Sequence, residues 1–286
     1  MLTYESASEL IHLNLEEEVE LKILSEDATF RLQWHHQQGA IDTADLETHI
    51  KVANPDDPEP SINTYVENHA DPAMGLVSEM MVLCSEVLPT FGSYNNIPLP
   101  YRGQLQSYVD ASLFAHLPEG PVRSSGYVRI MHAAEIDFRK PVRHLVLGLP
   151  GYVQFTSPIR RYMDLLAHYQ VKAFLRGDSP AFTAGQLEGI ASSVNMNAPV
   201  AKRLFSCSLK YWILEFLRRQ PKGKRSHALV LRFIYCSIIA PGGYQASAWV
   251  SVGVQIGDEI DVRVEEAHPC EDVLALKEVV QRNVKT

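Results

Sequence analysis

Residues 155–168 read FTSPIRRYMDLLAH, and two adjacent arginines follow a proline that looks like the start of a helix. Thr156 or Ser157 is a suitable helix cap, and Pro158 fits the first helical position, where the missing N–H is not needed and φ is already helical. The spacing predicts that Arg160 and Arg161 fall in the first turn. Cations there oppose the macrodipole at about 0.3–1 kcal/mol each, so the pattern is favourable only with an anion nearby. Free N–H groups of a helix N-terminus and a bidentate guanidinium both suit a phosphate oxyanion. On such a helix Arg160, Asp164 and His168 share one face, with Met163, Leu166, Ala167 and Phe174 on the buried side. An ordinary Arg160–Asp164 surface pair with His168 merely following fits the same spacing, and the residues alone leave both readings open.

The flanks enlarge the basic side of this picture. Residues 1–75 hold 16 Asp/Glu against 3 Lys/Arg and residues 76–286 hold 18 against 23, so the net charge of −8 divides into −13 and +5. Between residues 121 and 232 there are 18 Lys/Arg against 6 Asp/Glu, the footprint of a polyanion-binding surface that the whole-chain pI of about 5.8 conceals. Four cysteines without a CxxC pair suggest neither a zinc ribbon nor a disulfide framework, and a reducing compartment is the default. The scattered histidines have no metal-ligand spacing. No apolar run approaches the length that spans a bilayer, and MLTYESASEL has neither a signal core nor transit-peptide character, so no membrane is expected and the chain as read carries no address.

Helical spacing of Leu10, Leu13, Val19 and Ile23 predicts one or two amphipathic helices ending near Gly39, with Glu16, Glu17 and Glu18 on a solvated face. VANPDDPEPS breaks regular structure. Ser61 is expected to cap a long helix, interrupted near Asp71-Pro72, that buries Leu76, Met80, Met81, Leu83 and Val87. GYVRIMHAAEIDF reads equally as strand or helix. Gln186–Met196 and Val200–Leu217 are expected to form two helices, the second rich in Lys202, Arg203, Lys210, Arg218 and Arg219. Beyond RRQPKGKR the pattern turns to short alternating runs, HALVLRFI, YQASAWVSV, GDEIDVRVEEAHP and DVLALKEVV, which predict a small OB-type β-barrel over about residues 224–280. The fold class is therefore α+β, mostly helical and then a barrel.

The string GYVQFTSPIRRYMDLLAHYQVKAFL resembles the signature of the RNase II/RNase R (RNB) family of exoribonucleases, roughly TSPIRRYxDLxxHR. The match runs through Thr156, Ser157, Pro158, Ile159, Arg160, Arg161, Tyr162, Asp164, Leu165 and His168. LTYESASEL resembles the family's helix-opening segment, GLVSEMMVLCSEV its LVEEMMILAN helix, and YWILEFLRRQ with the barrel its closing helix and S1 domain. AAEIDFRKPVRH and HYQVKAFL look closest to the plant chloroplast and mitochondrial branch. The resemblance implies the C-terminal part of an RNB domain over 1–221 and an S1-like OB-fold RNA-binding domain over 222–286, placed in chloroplast and/or mitochondrion.

Family members release nucleoside 5′-monophosphates from the 3′ end of RNA by hydrolysis with Mg²⁺. The resemblance implies Arg160 as the catalytic arginine at the scissile phosphate, acting by preorganised electrostatics. It implies that single-stranded RNA meets Ser157, Arg161, Tyr162, Asp164, His168, Lys202, Arg203 and Lys210. The family's metal-binding aspartates lie upstream of the LTY segment where this chain begins, as do its cold-shock domains. No metal ligand is therefore assigned here, and Asp56-Asp57 reads as a solvated turn. The chain is expected to be inactive alone, with a separate polypeptide as one possible source of the missing half. A non-catalytic RNA-binding remnant or regulator is the alternative. Many members carry a glutamate six residues before the tryptophan of the closing helix, where Ser206 stands ahead of Trp212.

Overall fold

The computed structural model describes residues 3–13, 19–41, 48–66, 71–104, 110–232, 235–238, 244–249, 251 and 253–279. Two compact units are formed, one from Met1–Asp42, Asn68–Val109 and Ile130–Ala198, the other from Thr43–Glu67, Asp110–Arg129 and Pro199–Thr286.

In the first unit, α1 (Tyr4–Leu13) and α2 (Val19–Gln37) precede α3 (Pro72–Tyr94). The first two match the helices expected before Gly39, whose φ of 85° ends α2 in a conformation glycine tolerates. Glu16, Glu17 and Glu18 lie outside the described residues. The long helix does not start at Ser61. Asp71 caps it instead, its carboxylate accepting from the N–H groups of Ala73 and Met74 at 3.0 Å, with Pro72 in the first turn. Ser8 donates to the same carboxylate, and these bonds, the Ser8 one foremost, hold the Asp71 pKa below the ordinary range.

The expected apolar face of α3 is not what is buried. Met81 and Val87 are exposed, and Ala73, Glu79, Ser85, Leu88, Pro89 and Gly92 are buried. The helix serves two neighbours. Towards α2, Glu79 lies 3.3 Å from His35 and 3.9 Å from Arg31, and Arg31 also pairs with Glu86 at 2.7 Å. Elsewhere Leu88, with Cys84 and Phe91, joins a core of Ile97, Leu99, Tyr101, Val153, Ala167 and Val171. By length and mean hydropathy α3 would suffice to cross a bilayer, which the run of residues alone did not suggest.

A short antiparallel pair, β3 (Tyr101–Gly103) with β4 (Glu135–Asp137), stands beside this core, and Val153 bridges to Tyr101. Gly103 is required here: a Cβ would lie 2.3 Å from the Arg143 carbonyl. GYVRIMHAAEIDF proves to be both kinds of structure, because α4 (Pro121–Ile130) ends within it and β4 follows. Helix α5 (Tyr162–Leu175) places Met163 and Leu166 in a further core with Phe138, Leu187 and Ala191.

The two helices expected after residue 184 are one, α6 (Ala184–Arg218), 35 residues long with Pro199 inside. Pro199 has no N–H for the Asn195 carbonyl, but flanking turns carry the helix across it. The part of α6 from Pro199 onward belongs to the second unit. There β1 (Thr48–Ala53) and β2 (Ser61–Val66) form a hairpin around the expected NPDDPEP loop. The barrel closes as β5-β6-β7-β9-β8, with β5 (Arg225–Arg232), β6 (Tyr235–Ile238), β7 (Tyr244–Trp249), β8 (Glu259–His268) and β9 (Val273–Glu278). Ile213 and Leu217 of α6 pack with Ala228, Val230, Ala246, Val262 and Leu276 of the barrel. Glu215, buried at the same helix end, accepts from Arg218 and Arg219 at 2.7 Å, and Arg219 also donates to the Pro60 carbonyl. The bond from Arg218 is the largest influence that holds its pKa below the ordinary range, against the effect of burial.

His144 gives the first unit a pH dependence. Burial, with Arg102 nearby, lowers its pKa from 6.5 to about 4. The unfolded chain therefore binds this proton more readily, and its contribution to stability is complete above pH 6.5 and lost as pH falls towards 4. NMR titration of the folded chain is expected to find the His144 ring neutral at pH 5.5, and His144→Gln to remove this part of the acid loss in urea unfolding; a ring titrating near 6.5 contradicts it.

Candidate functional site

The segment carrying the signature enters α5 from an extended stretch. The Val153 N–H donates to the Ser85 carbonyl at 3.0 Å, and Arg102 N–H donates to Tyr152 at 2.8 Å. The chain then turns rather than starting a helix. Arg160 and Arg161 N–H groups both donate to the Ser157 carbonyl, at 3.2 and 2.9 Å, and α5 begins only at Tyr162. This corrects the expected start at Pro158. A proline with φ near −65° suits the second position of a β-turn as well as the first turn of a helix, and the residue before it is pushed away from helical backbone.

Arg160 consequently lies in the turn, and Arg161 is the N-cap, extended at φ −120° and ψ 113° with no side-chain cap bond. Arg160 is exposed, Ile159 before it is fully exposed and Tyr162 is half-exposed. The shared face of Arg160, Asp164 and His168 is not formed, because Arg160 is outside the helix. Asp164 instead pairs with Arg161 at 4.0 Å.

Asp164 and His168 turn inward, onto the chain that leads to the arginines. Asp164 has no exposed surface, and its Oδ2 accepts from the Ser157 N–H at 2.9 Å. Its Oδ1 has no hydrogen-bond partner among the described residues. One turn later the His168 ring stacks on Phe155 with centroids 3.7 Å apart and planes 8° apart. His168 Nε2 lies 2.9 Å from the Phe155 carbonyl, so it carries the proton and donates. Phe174, expected on the buried side, is 39% exposed, whereas Met163, Leu166 and Ala167 are buried.

Gln170, which spacing did not single out, is fully buried and spends its whole amide. It donates to the carbonyls of Pro98 and Phe182 and accepts from the Phe182 N–H, all within 3.0 Å. A glutamine amid apolar residues of a helix was the available signal.

The structure thus brings Ser157, Arg161 and Asp164 into contact, with Arg160 and Tyr162 beside them on the same turn and helix start. Lys202, Arg203 and Lys210 are exposed on the part of α6 that belongs to the other unit. Lys210 pairs with Asp272 at 2.7 Å. Among the described residues no three His, Cys, Asp or Glu side chains stand together as a metal site requires. Asp56 and Asp57 are exposed in the hairpin loop.

The RNB domain family model matches residues 1–177, which include the turn and α5. The chain belongs to the RNB family. It is 67% identical over 285 residues to the chloroplastic/mitochondrial Ribonuclease II of Arabidopsis thaliana, covering 98% of this chain and 36% of that protein. Among solved structures it is similar to the Dss1 exoribonuclease of Candida glabrata, with a TM-score of 0.77 and 22% identity over 98% of this chain and 38% of that one. It is likewise similar to Mycoplasma genitalium RNase R in complex with double-stranded RNA, with a TM-score of 0.71 and 21% identity over 93% of this chain and 52% of the other. These two likenesses establish a shared RNB fold. The chain thus spans little more than a third of the Arabidopsis RNB relative.

Proposed function

We propose that this chain contributes the phosphate-contacting part of an RNB exoribonuclease that shortens single-stranded RNA from its 3′ end and releases nucleoside 5′-monophosphates. The observation that carries the proposal is an exposed arginine, Arg160, on a turn tied to a buried carboxylate, within the family's signature. A guanidinium there offers two parallel N–H donors to nonbridging phosphate oxygens. Held in place before the reaction, it interacts most strongly when negative charge accumulates on phosphorus, lowering the barrier without reorganisation. Arg161, partly neutralised by Asp164, and Tyr162 hold the neighbouring nucleotide. In the second unit, exposed Lys202 and Arg203 are suited to RNA phosphates in their own right, and the barrel over 222–286 serves as an S1-like RNA-binding domain.

The resemblance implies Mg²⁺, which would activate water and hold the leaving oxygen in such enzymes. The described residues bring no carboxylate group together that fits it, and no step is derived through the metal. The identity to an organellar ribonuclease supports a place in chloroplast or mitochondrion.

On 5′-labelled single-stranded RNA with Mg²⁺, the 286-residue chain is expected to bind without shortening the RNA. A ladder from the 3′ end sinks that expectation. Affinity should fall with salt at a log–log slope of about −0.7 per phosphate contacted. Arg160→Ala is expected to weaken binding about tenfold, the scale of one charge-assisted contact, and to depress turnover further in a complete enzyme. Unchanged affinity and unchanged turnover would refute the role of Arg160.

A further inference from the structure

Asp164 and His168 belong to the signature, yet both make their contacts with the protein's own chain. Asp164 has no exposed surface, and His168 is occupied by Phe155 on its ring face and at Nε2. Their contacts share one target, the seven residues from Phe155 to Arg161 that deliver the arginines. Asp164 fixes that segment at Ser157 through the backbone N–H, and His168 fixes it at Phe155 through the backbone carbonyl.

We infer that Asp164 and His168 are positioning residues that lock the turn carrying Arg160 and Arg161, and that neither contacts RNA. The inference rests on the phosphate-clamp reading above and adds how the clamp is held.

Backbone chemistry makes a latch necessary. Pro158 supplies no N–H, and Ile159 at the tip is fully exposed, so among the described residues the turn closes on itself through two bonds to the Ser157 carbonyl. Those bonds close the turn but do not attach it to the helix. Asp164 provides the attachment from the third position of α5, where the helix dipole favours an anion. The same carboxylate draws Arg161 to 4.0 Å, beyond hydrogen-bond length, so the guanidinium is biased in direction while its N–H donors are left for a ligand. His168 acts one turn farther on, where a rigid stack and one hydrogen bond fix the strand before it turns. A helical Asp and His four residues apart thus hold two points of one incoming segment.

The test uses the whole chain, a fluorescent single-stranded oligouridylate and circular dichroism to confirm folding. Asp164→Ala is expected to weaken RNA binding about tenfold, and Asp164→Asn, which keeps an acceptor for the Ser157 N–H but loses the charge facing Arg161, about threefold. In a chain already carrying Arg160→Ala and Arg161→Ala, either change should cost less than about twofold more, because the groups it positions are gone. Equal losses with and without the two arginines overturn the inference, as does wild-type affinity in Asp164→Ala. If Asp164→Ala does not fold, Asp164→Asn carries the cycle, alongside His168→Ala with rescue expected from His168→Gln, which restores a donor. A folded wild-type chain that binds no RNA at low salt defeats the clamp reading instead. The latch is then judged by hydrogen exchange: the Ser157 amide should be protected in the wild type and in Asp164→Asn, and exchange freely in Asp164→Ala. A Ser157 amide unprotected in the wild type refutes the latch on its own.

Discussion

A carboxylate buried in the first turn of α5 is the constraint on which the signature region depends. Desolvating Asp164 costs several kcal/mol unless charge and hydrogen bonds compensate it. The compensation comes from the Ser157 N–H, the Arg161 guanidinium and the helix dipole. It is incomplete, because Oδ1 remains without a partner among the described residues. An apolar residue would fill that space at lower cost but could not receive the N–H of the residue before Pro158. The carboxylate therefore serves the conformation of the turn more than the stability of the helix.

The body of the first unit gives this latch something rigid to act on. Val153 is bonded to the Ser85 carbonyl of α3 and bridged to Tyr101, and Gln170 ties α5 to the Pro98 and Phe182 carbonyls. The extended segment before the turn is thus anchored on its α3 and β3 sides, and His168 takes the side towards α5. A turn joined to so many fixed points moves little when an anion arrives, which is what preorganised charge requires.

How much of this was legible in the sequence follows from the range of each signal. Local features came through: α1 and α2 as helices, although Leu13, Val19 and Ile23 of their expected apolar spacing are exposed, the core positions Met163, Leu166 and Ala167, and the alternating strands of the barrel. Ambiguous local chemistry was resolved by distant partners. Pro158 suits two backbone shapes, and the Asp164–Ser157 bond selects the turn. Ser61 suits a cap, but pairing with β1 makes it a strand residue, while Asp71 ten residues on has both the carboxylate and the proline a cap requires. On α3 the apolar spacing was real, but the helix has two neighbours, and charged Glu79 is buried because Arg31 and His35 face it from α2. The resemblance of the signature string pointed to α5 and its approach, but the contacts of Asp164 with Ser157 and of His168 with Phe155 were not legible in it, because they depend on the helix beginning only at Tyr162.

Formal charge is a second place where sequence and structure part. The basic excess of residues 121–232 suggested a broad cationic surface, but many of those cations are already committed. Arg123 pairs with Glu119, Arg139 with Glu188 and Arg176 with Asp178, while Arg218 and Arg219 converge on Glu215 and Lys210 is held by Asp272. The exposed pairs among these contribute little to stability, but every pairing lowers the local potential an anion meets. Arg160, Lys202 and Arg203 make no ion pair among the described residues, and all three are exposed. Of these, only Arg160 stands on a backbone fixed by a buried carboxylate. A phosphate that must be held at one point, rather than attracted over a face, is served by the cation whose position is determined, and in this chain Asp164 determines the position of Arg160.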